Sequence, residues 1–461
     1  MNVAGKRDFD SRTILGPKTV EALQLATRFL QEHGTSQLLE LVGQKVLPID
    51  LGDGRADKRR FPVSYGGGKP CDDDLLTGRG MFYVTEQGKL MLDATSGHYQ
   101  MTWGYNHPEL TAAVAEGTRL GIVWDNHSNI PSPPVKMLAE KLVALTEDAG
   151  PDRALLGVCT GSVACGAALK IMLTRYLRDK ARAPLGAPVI VSLAGNYHGT
   201  DIAAQTMRGM WPGLVTGMEA VQIEPNDLEG LAAAFRRYGR RVAGFWAEPI
   251  MMNREAIAVD ARFLKAAQAL CAENGALFAV DEIQTGFWYP EVFLFRRLGL
   301  APDLVVVGKG MAAGFHPLSG LLFRRELDIL EQYDAISTNG NASLAAFVSL
   351  CNLGMIERDG ERIARLAHQL ENGFGGLARE FPQRIERVNG SGLLVGLKFR
   401  DRRDALGLCQ AALDRGLWLR AHAYHPGHRT VLTKCAVVAD EATLEYMVDV
   451  LRELLRRRPW E

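Results

Sequence analysis

The chain predicts an α/β fold, a mostly parallel sheet flanked by helices, with a smaller α+β lobe drawn from its N- and C-terminal segments. Three observations predict it. Short apolar runs at 276–280 and 304–307 show no apolar/polar alternation, as expected of strands buried on both faces of a parallel sheet. From 153 to 310 such runs take turns with helical stretches. Beyond about Asn341 the pattern changes to one long helical stretch, a Gly390-Ser391-Gly392 turn and a strand. At 461 residues the chain exceeds one typical core. The expected division is an N-terminal segment over 1–94, a large domain over 95–340 and a C-terminal domain over 341–461.

Taken in order, Pro17 and Pro48 bound a helical stretch over 17–47, with Val20, Leu23, Ala26 and Phe29 on one stripe. Residues 50–80 read as loop, containing Gly66-Gly67-Gly68 and Lys58-Arg59-Arg60, the latter a solvated charge run. A hairpin over 81–92 turns at Gly88. Helices follow over 108–121 and 134–147. Then come a strand at 153–158, a helix at 163–178, strands at 189–193 and 243–247, a helix at 261–274 and a strand at 275–280. A strand at 393–399 and a helix over 441–456 close the chain. No internal repeat or low-complexity tract interrupts this order.

Composition narrows the function. Basic and acidic residues number 53 each, so no net field draws nucleic acid or an anionic membrane. No apolar run is long enough to span a bilayer. The start, Met1 to Asp8, turns charged early and lacks the apolar core of a secretion signal. Seven cysteines, an odd and scattered set without C-x-x-C pairs, argue against a disulfide framework or a structural zinc site. These features describe a cytoplasmic enzyme with reduced thiols and no metal.

The two central runs end abruptly, the first in Asp281-Glu282-Ile283-Gln284-Thr285-Gly286-Phe287 and the second in Gly308-Lys309-Gly310. Ligands of parallel sheets bind beyond the carboxyl ends of the strands, which places an acid and an amine at one site. A shielded lysine can bond to an aldehyde, and a carboxylate opposite can keep a pyridine nitrogen protonated. That pairing calls for a phosphate cup, a ring-stacking aromatic and a polar group near the ring hydroxyl. Cys159-Thr160-Gly161-Ser162, between a strand and a helix, offers N–H groups for phosphate. Tyr197 of Tyr197-His198-Gly199 offers the aromatic face, and Gln284 the polar group.

With these parts in place the chain resembles the class III aminotransferases, pyridoxal-phosphate enzymes of fold-type-I architecture. Residues 281–287 are similar to the family's D-E-[VI]-Q-T-G-F, and Gly314-Phe315-His316-Pro317-Leu318-Ser319 to its G-x-x-P-L-S. Tyr197-His198-Gly199, Glu248-Pro249 and Ala301-Pro302-Asp303-Leu304 match further motifs in family order, over about 80–440. The resemblance implies that Lys309 forms an imine with pyridoxal 5'-phosphate and moves the substrate proton. Asp281 would pair with the pyridinium nitrogen, Gln284 with the ring hydroxyl, and Tyr197 would stack on the ring. His198 and Glu248 would belong to the same cofactor site, with Gly161 and Ser162 on the phosphate. Thr338 would reach the phosphate of the other subunit, which implies a homodimer with shared active sites.

Departures from the family pattern bear on the substrate. The usual N-S-G-T-E-A is here Cys159-Thr160-Gly161-Ser162-Val163-Ala164, and T-F-G-G-N-P becomes Thr338-Asn339-Gly340-Asn341-Ala342-Ser343. Val431 stands where many members carry a carboxylate-clamping arginine, and Asn253 where ω-amino-acid enzymes carry its glutamate partner. Arg420, Arg429 and Lys434 remain as anion binders. His98, Tyr99 and Trp103, with Arg420, are the substrate-pocket candidates, suited to a bulky or hydroxylated amine or an unusual amino acid. The expected reaction moves an amino group from such a donor to an oxo acid or aldehyde by ping-pong transfer. Racemisation, epimerisation or decarboxylation would use the same cofactor, and 94–109 also resembles dialkylglycine decarboxylase, with His98 replacing its glutamine. Cofactor binding without turnover is the remaining alternative. No G-x-G-x-x-G follows an early strand, which argues against a nicotinamide enzyme.

Overall fold

Seven strands form the central sheet of the computed structural model. They are β1 (Arg153–Val158), β2 (Val189–Leu193), β3 (Glu219–Ile223), β4 (Val242–Ala247), β5 (Leu277–Asp281), β6 (Leu304–Val307) and β7 (Ser319–Phe323). Their spatial order is β1-β7-β6-β5-β4-β2-β3. The structure describes residues 10–52, 62, 73–125, 129–210, 213, 215–423 and 425–461. Lys58-Arg59-Arg60, Gly66-Gly67-Gly68 and the start from Met1 to Asp8 lie outside them.

Only β7 runs antiparallel to its neighbours β6 and β1. The cause is local. A parallel connection needs a crossover, and residues 308–318 between β6 and β7 form only a short 3₁₀ turn, Lys309–Ala312, so the chain must double back. Every residue of β2, β4, β5, β6 and β7 is buried. This is why those strands carry no alternation. The period of two sorts β5 between the faces: Leu277 and Ala279 pack with Ala164, Cys165 and Ala168 of the helix Gly161–Arg178, while Phe278 and Val280 join the core on the other side. Asp281, next in the odd series, falls on the face of that helix.

The N- and C-terminal parts share structure. Strands Leu75–Arg79, Phe82–Thr85 and Leu90–Asp93 form an antiparallel meander, and Leu417–Trp418 adds to it in parallel beside Leu90–Asp93. A second sheet joins Ile385–Ser391, Leu394–Phe399, Thr430–Lys434 and Arg420–His422. The helix Ser343–Glu380 buries Leu344, Val348, Ile356, Ile363, Leu370 and Leu377 along one flank, connecting the two lobes.

Glu255 ties these lobes together. Its carboxylate accepts from Arg429 N (2.7 Å) and Thr430 Oγ1 (2.7 Å), and pairs with Lys398 Nζ at 2.9 Å. Asn389 Nδ2 donates to its main-chain oxygen at 2.8 Å. Both members of the ion pair are nearly sealed from water, with side chains 4% and 11% exposed. Glu255→Ala strands the Lys398 ammonium, so stability toward urea should fall by about 3–5 kcal/mol. A loss under about 1 kcal/mol would show that the lobes hold without it.

The structure corrects several expectations. The helical stretch over 17–47 is two helices, Pro17–Glu32 and Thr35–Leu41, divided at His33 and Gly34, where the backbone turns extended. The expected loop over 50–80 ends in the strand Leu75–Arg79. Strand β3 and the helix Leu228–Tyr238 after it, and strand β7, were not anticipated. The edge strand β3 is mostly half-exposed and mixes Glu219 and Gln222 with apolar residues, so it lacks the signature of its buried neighbours.

Candidate active site

Five strand ends converge on one cleft. Strand β1 leads through Cys159 and Thr160 into the helix Gly161–Arg178, β2 into the loop with Tyr197 and His198, and β4 into Glu248. Strand β5 ends on Asp281 itself, and β6 leads through Gly308 to Lys309. Thr160, Gly161, Ser162, Tyr197, His198 and Lys309 line a cleft of about 180 Å³.

Asp281 is buried, and its acceptors are filled from several sides. His198 Nδ1 donates to Oδ2 at 2.7 Å, Ile283 N to Oδ1 at 2.9 Å, and Cys165 Sγ lies 3.8 Å from Oδ2. Cys165, His198 and Asp281 thus form a hydrogen-bonded cluster. Lys309 has a φ of +40°, a left-handed conformation unusual for a side chain with a Cβ and typical of functional sites. Burial lowers its amine pKa, while Asp281 and then Glu248 pull it back up. Glu248 Oε1 accepts from Tyr197 N at 2.9 Å. Desolvation pushes the Glu248 pKa up to about 7, with His198 acting against it. The Tyr197 ring lies under the Arg208 guanidinium, 5.6 Å from centroid to carbon.

At the other end, Thr160 caps the helix Gly161–Arg178 without a side-chain bond, so the first-turn N–H groups remain directed outward. A Cβ on Gly161 would come within 2.7 Å of Ile283 Cδ1, so a larger residue there would displace the tip of that side chain. Ser162 Oγ accepts from Thr200 N at 3.2 Å, closing the two loops on each other.

The remaining predicted residues divide. His98 Nδ1 accepts from Arg420 Nη1 at 3.0 Å, bringing these two together. Tyr99 is buried at the end of the turn containing His98. Trp103 turns inward, its Nε1 donating to Asn352 Oδ1 at 2.7 Å. Thr338 is exposed on the loop after β7, outside the cleft of its own chain. Of the other anion-binding candidates, Arg429 pairs with Glu386 at 2.7 Å and donates to Phe399 O, and Lys434 is wholly buried. Sequence reasoning missed Cys165 and Asp93. Cys165 sits one helical turn beyond Gly161, a spacing that places it on the cleft side. Asp93 Oδ1 and Oδ2 accept from Thr95 N (2.6 Å) and Gly97 N (2.7 Å), folding the turn that carries His98.

Glu282, beside Asp281, is buried with its pKa pushed up to about 7 by desolvation, against hydrogen bonds from Thr285 Oγ1 and Phe295 N. The unfolded chain releases this proton near pH 4.5. Between those values the folded state binds more protons, so this group's contribution to stability falls as pH rises from about 4.5 to about 7. Glu282→Gln keeps both hydrogen bonds and should flatten that slope in melting temperatures. Parallel wild-type and variant curves would refute it.

Residues 73–455 match the family model described as aminotransferase class-III. The chain belongs to the class-III aminotransferase family. It is 27% identical to the mitochondrial ornithine aminotransferase of Oryza sativa subsp. japonica, over 82% of this chain and 79% of that protein. It is 26% identical to the acetylornithine aminotransferase of Synechocystis sp., over 86% and 90%. The crystal structure of a transaminase from Virgibacillus shares the fold with a TM-score of 0.77 at 21% identity, covering 87% of this chain and 97% of that one. The architecture is fold type I, and the enzyme is a pyridoxal-phosphate-dependent transaminase.

The residues of the cleft fit this cofactor. His198 Nε2, Glu248 Oε2 and Gln284 Oε1 are buried polar atoms without a hydrogen-bond partner, and such atoms call for a bound group. The uncapped helix start suits a phosphate, and the Asp281 carboxylate lies behind His198 and Ile283, which line the cleft. No helix among the described residues is long and apolar enough to cross a membrane.

Proposed function

We propose that the enzyme moves an amino group from an amine or unusual amino acid to an oxo acid or aldehyde by ping-pong transfer. The observation that carries the proposal is the Asp281–Lys309 pair, a desolvated amine lining the cleft beside an uncapped helix start and a buried acid close enough to act on its charge. Bound there, pyridoxal phosphate supplies an aldehyde carbon for an amine and an electron sink for the bonds at the substrate Cα. Lys309, kept toward its neutral form by burial, is the nucleophile toward that aldehyde and the base that moves the Cα proton. Asp281, oriented by His198 and Ile283 N, holds the proton on the ring nitrogen. Gln284 would sit by the ring hydroxyl and Tyr197 would stack on the ring, while Glu248 fixes the Tyr197 backbone. Gly161 and Ser162 bind phosphate through the helix start.

The substrate class rests on the other side of the pocket. Val431 is buried in its strand, and Asn253 Oδ1 accepts from Gln284 Nε2 at 3.4 Å, so neither member of the usual carboxylate clamp is present. Arg420 and His98 are the polar pair left for a donor or acceptor. The ornithine and acetylornithine specificities of the relatives therefore do not transfer directly.

The working unit is a homodimer. Leu120, Val123, Trp124 and Tyr333 are exposed, and Asn129 to Tyr333 (2.9 Å) and Asn339 to Asp125 (2.9 Å) join their segments into one face beside Thr338. In the proposed dimer that face would carry Thr338 toward the partner's phosphate. Residues 95–340 serve as the cofactor-binding unit, with 1–94 and 341–461 as the smaller lobe; pairing of Leu417–Trp418 with Leu90–Asp93 supports this. The six described cysteines are free thiols, which suits the cytoplasm.

The test offers a panel of amines and amino acids without an acceptor. Transamination should leave one equivalent of pyridoxamine phosphate per site. Carbon dioxide or an inverted enantiomer, with the cofactor unchanged, would overturn the assignment.

A further inference from the structure

Lys434 ends the strand Thr430–Lys434 of the C-terminal sheet, yet its side chain leaves the sheet and is completely buried. Its Nζ donates to Gln284 O at 2.7 Å and to Tyr99 O at 2.9 Å. The Trp288 ring centroid lies 3.4 Å away. Two carbonyls and an indole face give each ammonium proton an acceptor. Among the described residues no carboxylate pairs with this amine. Burial, and after it the charge of Lys309, lowers its pKa. Keeping an ammonium there costs stability that a methionine of similar length would spare.

The partners of Lys434 suggest what that cost maintains. Gln284 lies three residues beyond Asp281. Tyr99 closes a left-handed turn in which Ser96, Gly97, His98 and Tyr99 have φ values of 52°, 57°, 65° and 74°. Three non-glycine residues in that region store strain and need an external clamp. Lys434 grips both ends of the turn: its main-chain oxygen accepts from Ser96 Oγ at 2.6 Å while its Nζ holds Tyr99 O. Its own N–H donates to Ala94 O at 2.9 Å, just before the turn.

We infer that Lys434 is a positioning residue, one that registers the substrate-side turn Ser96–Tyr99 against the cofactor-side segment at Gln284. It acts through main-chain carbonyls from a place no ligand reaches. The inference rests on the cofactor reading above, which puts Gln284 at the ring.

Lys434→Met removes the donors and keeps the length. With the full chain freed of cofactor, the melting temperature should stay near the wild-type value, because loss of a desolvated ammonium offsets the two carbonyls left without a donor. On adding pyridoxal phosphate, its Kd should rise at least about tenfold and the visible circular dichroism of the bound cofactor should shrink. A merely structural lysine would show the reverse, a lower melting temperature with unchanged Kd and dichroism, and that result overturns the inference. Ser96→Ala loosens only the other end of the grip and carries the test if Lys434→Met fails to fold. It should move both readouts the same way by a smaller factor, and wild-type values there overturn the inference. Failure of the cofactor reading shows separately, as wild-type protein that binds no pyridoxal phosphate.

Discussion

Lys309→Ala should abolish the visible absorption band of the lysine-linked cofactor and stop turnover. The expected loss is about 10²–10⁴-fold from the proton-transfer role alone, with the covalent role lost as well. Lys309 is placed to do both. It lies two residues beyond the end of strand β6, its backbone is held at a left-handed φ, and its amine is desolvated against Asp281 and Glu248. The alanine variant removes a buried amine without touching Asp281, so pyridoxal phosphate should still bind, now as the free aldehyde. An absorption spectrum and a single-turnover assay decide this. An unchanged band in the variant would mean that another amine holds the cofactor.

Asp281→Asn is expected to have the second largest effect, a fall in kcat of about 10²–10³-fold, the size seen when one preorganised electrostatic group is removed. The carboxylate accepts from both His198 and Ile283 N, and an asparagine can keep only one of these as acceptor. Its amide nitrogen meets the His198 N–H donor to donor unless the ring changes tautomer. The proton on the cofactor nitrogen then loses its counter-charge, and the electron sink weakens. Cofactor affinity should fall less than kcat does. If kcat stays within about threefold of wild type, the ring nitrogen does not depend on Asp281.

The buried strands were legible because burial on both faces imposes a composition. The runs at 153–158, 189–193 and 304–307 match β1, β2 and β6 residue for residue. Strand β3 and the strand Leu75–Arg79 were not legible, since each is largely half-exposed and accepts polar side chains. Strand β7 was hidden for a different reason. Its antiparallel direction follows from the length of the β6–β7 connection, a property of the chain path rather than of any residue.

The residues around the cleft were also legible. Asp281 ends its strand, and Lys309, Gly161 and Tyr197 follow theirs within four residues, so finding the strands finds the residues. Composition and order alone determined that this chain builds a strand-end cleft with an acid, an amine and a helix start around it. The tertiary structure decided what surrounds those groups. His198 and Cys165 meet Asp281 from separate elements, Arg429 is held by Glu386 and the Phe399 carbonyl, and Lys434 is drawn inward to the carbonyls of Tyr99 and Gln284. Those contacts span more than a hundred residues in several cases, and whether a cation meets solvent, a carboxylate or a carbonyl depends on packing that no local pattern encodes.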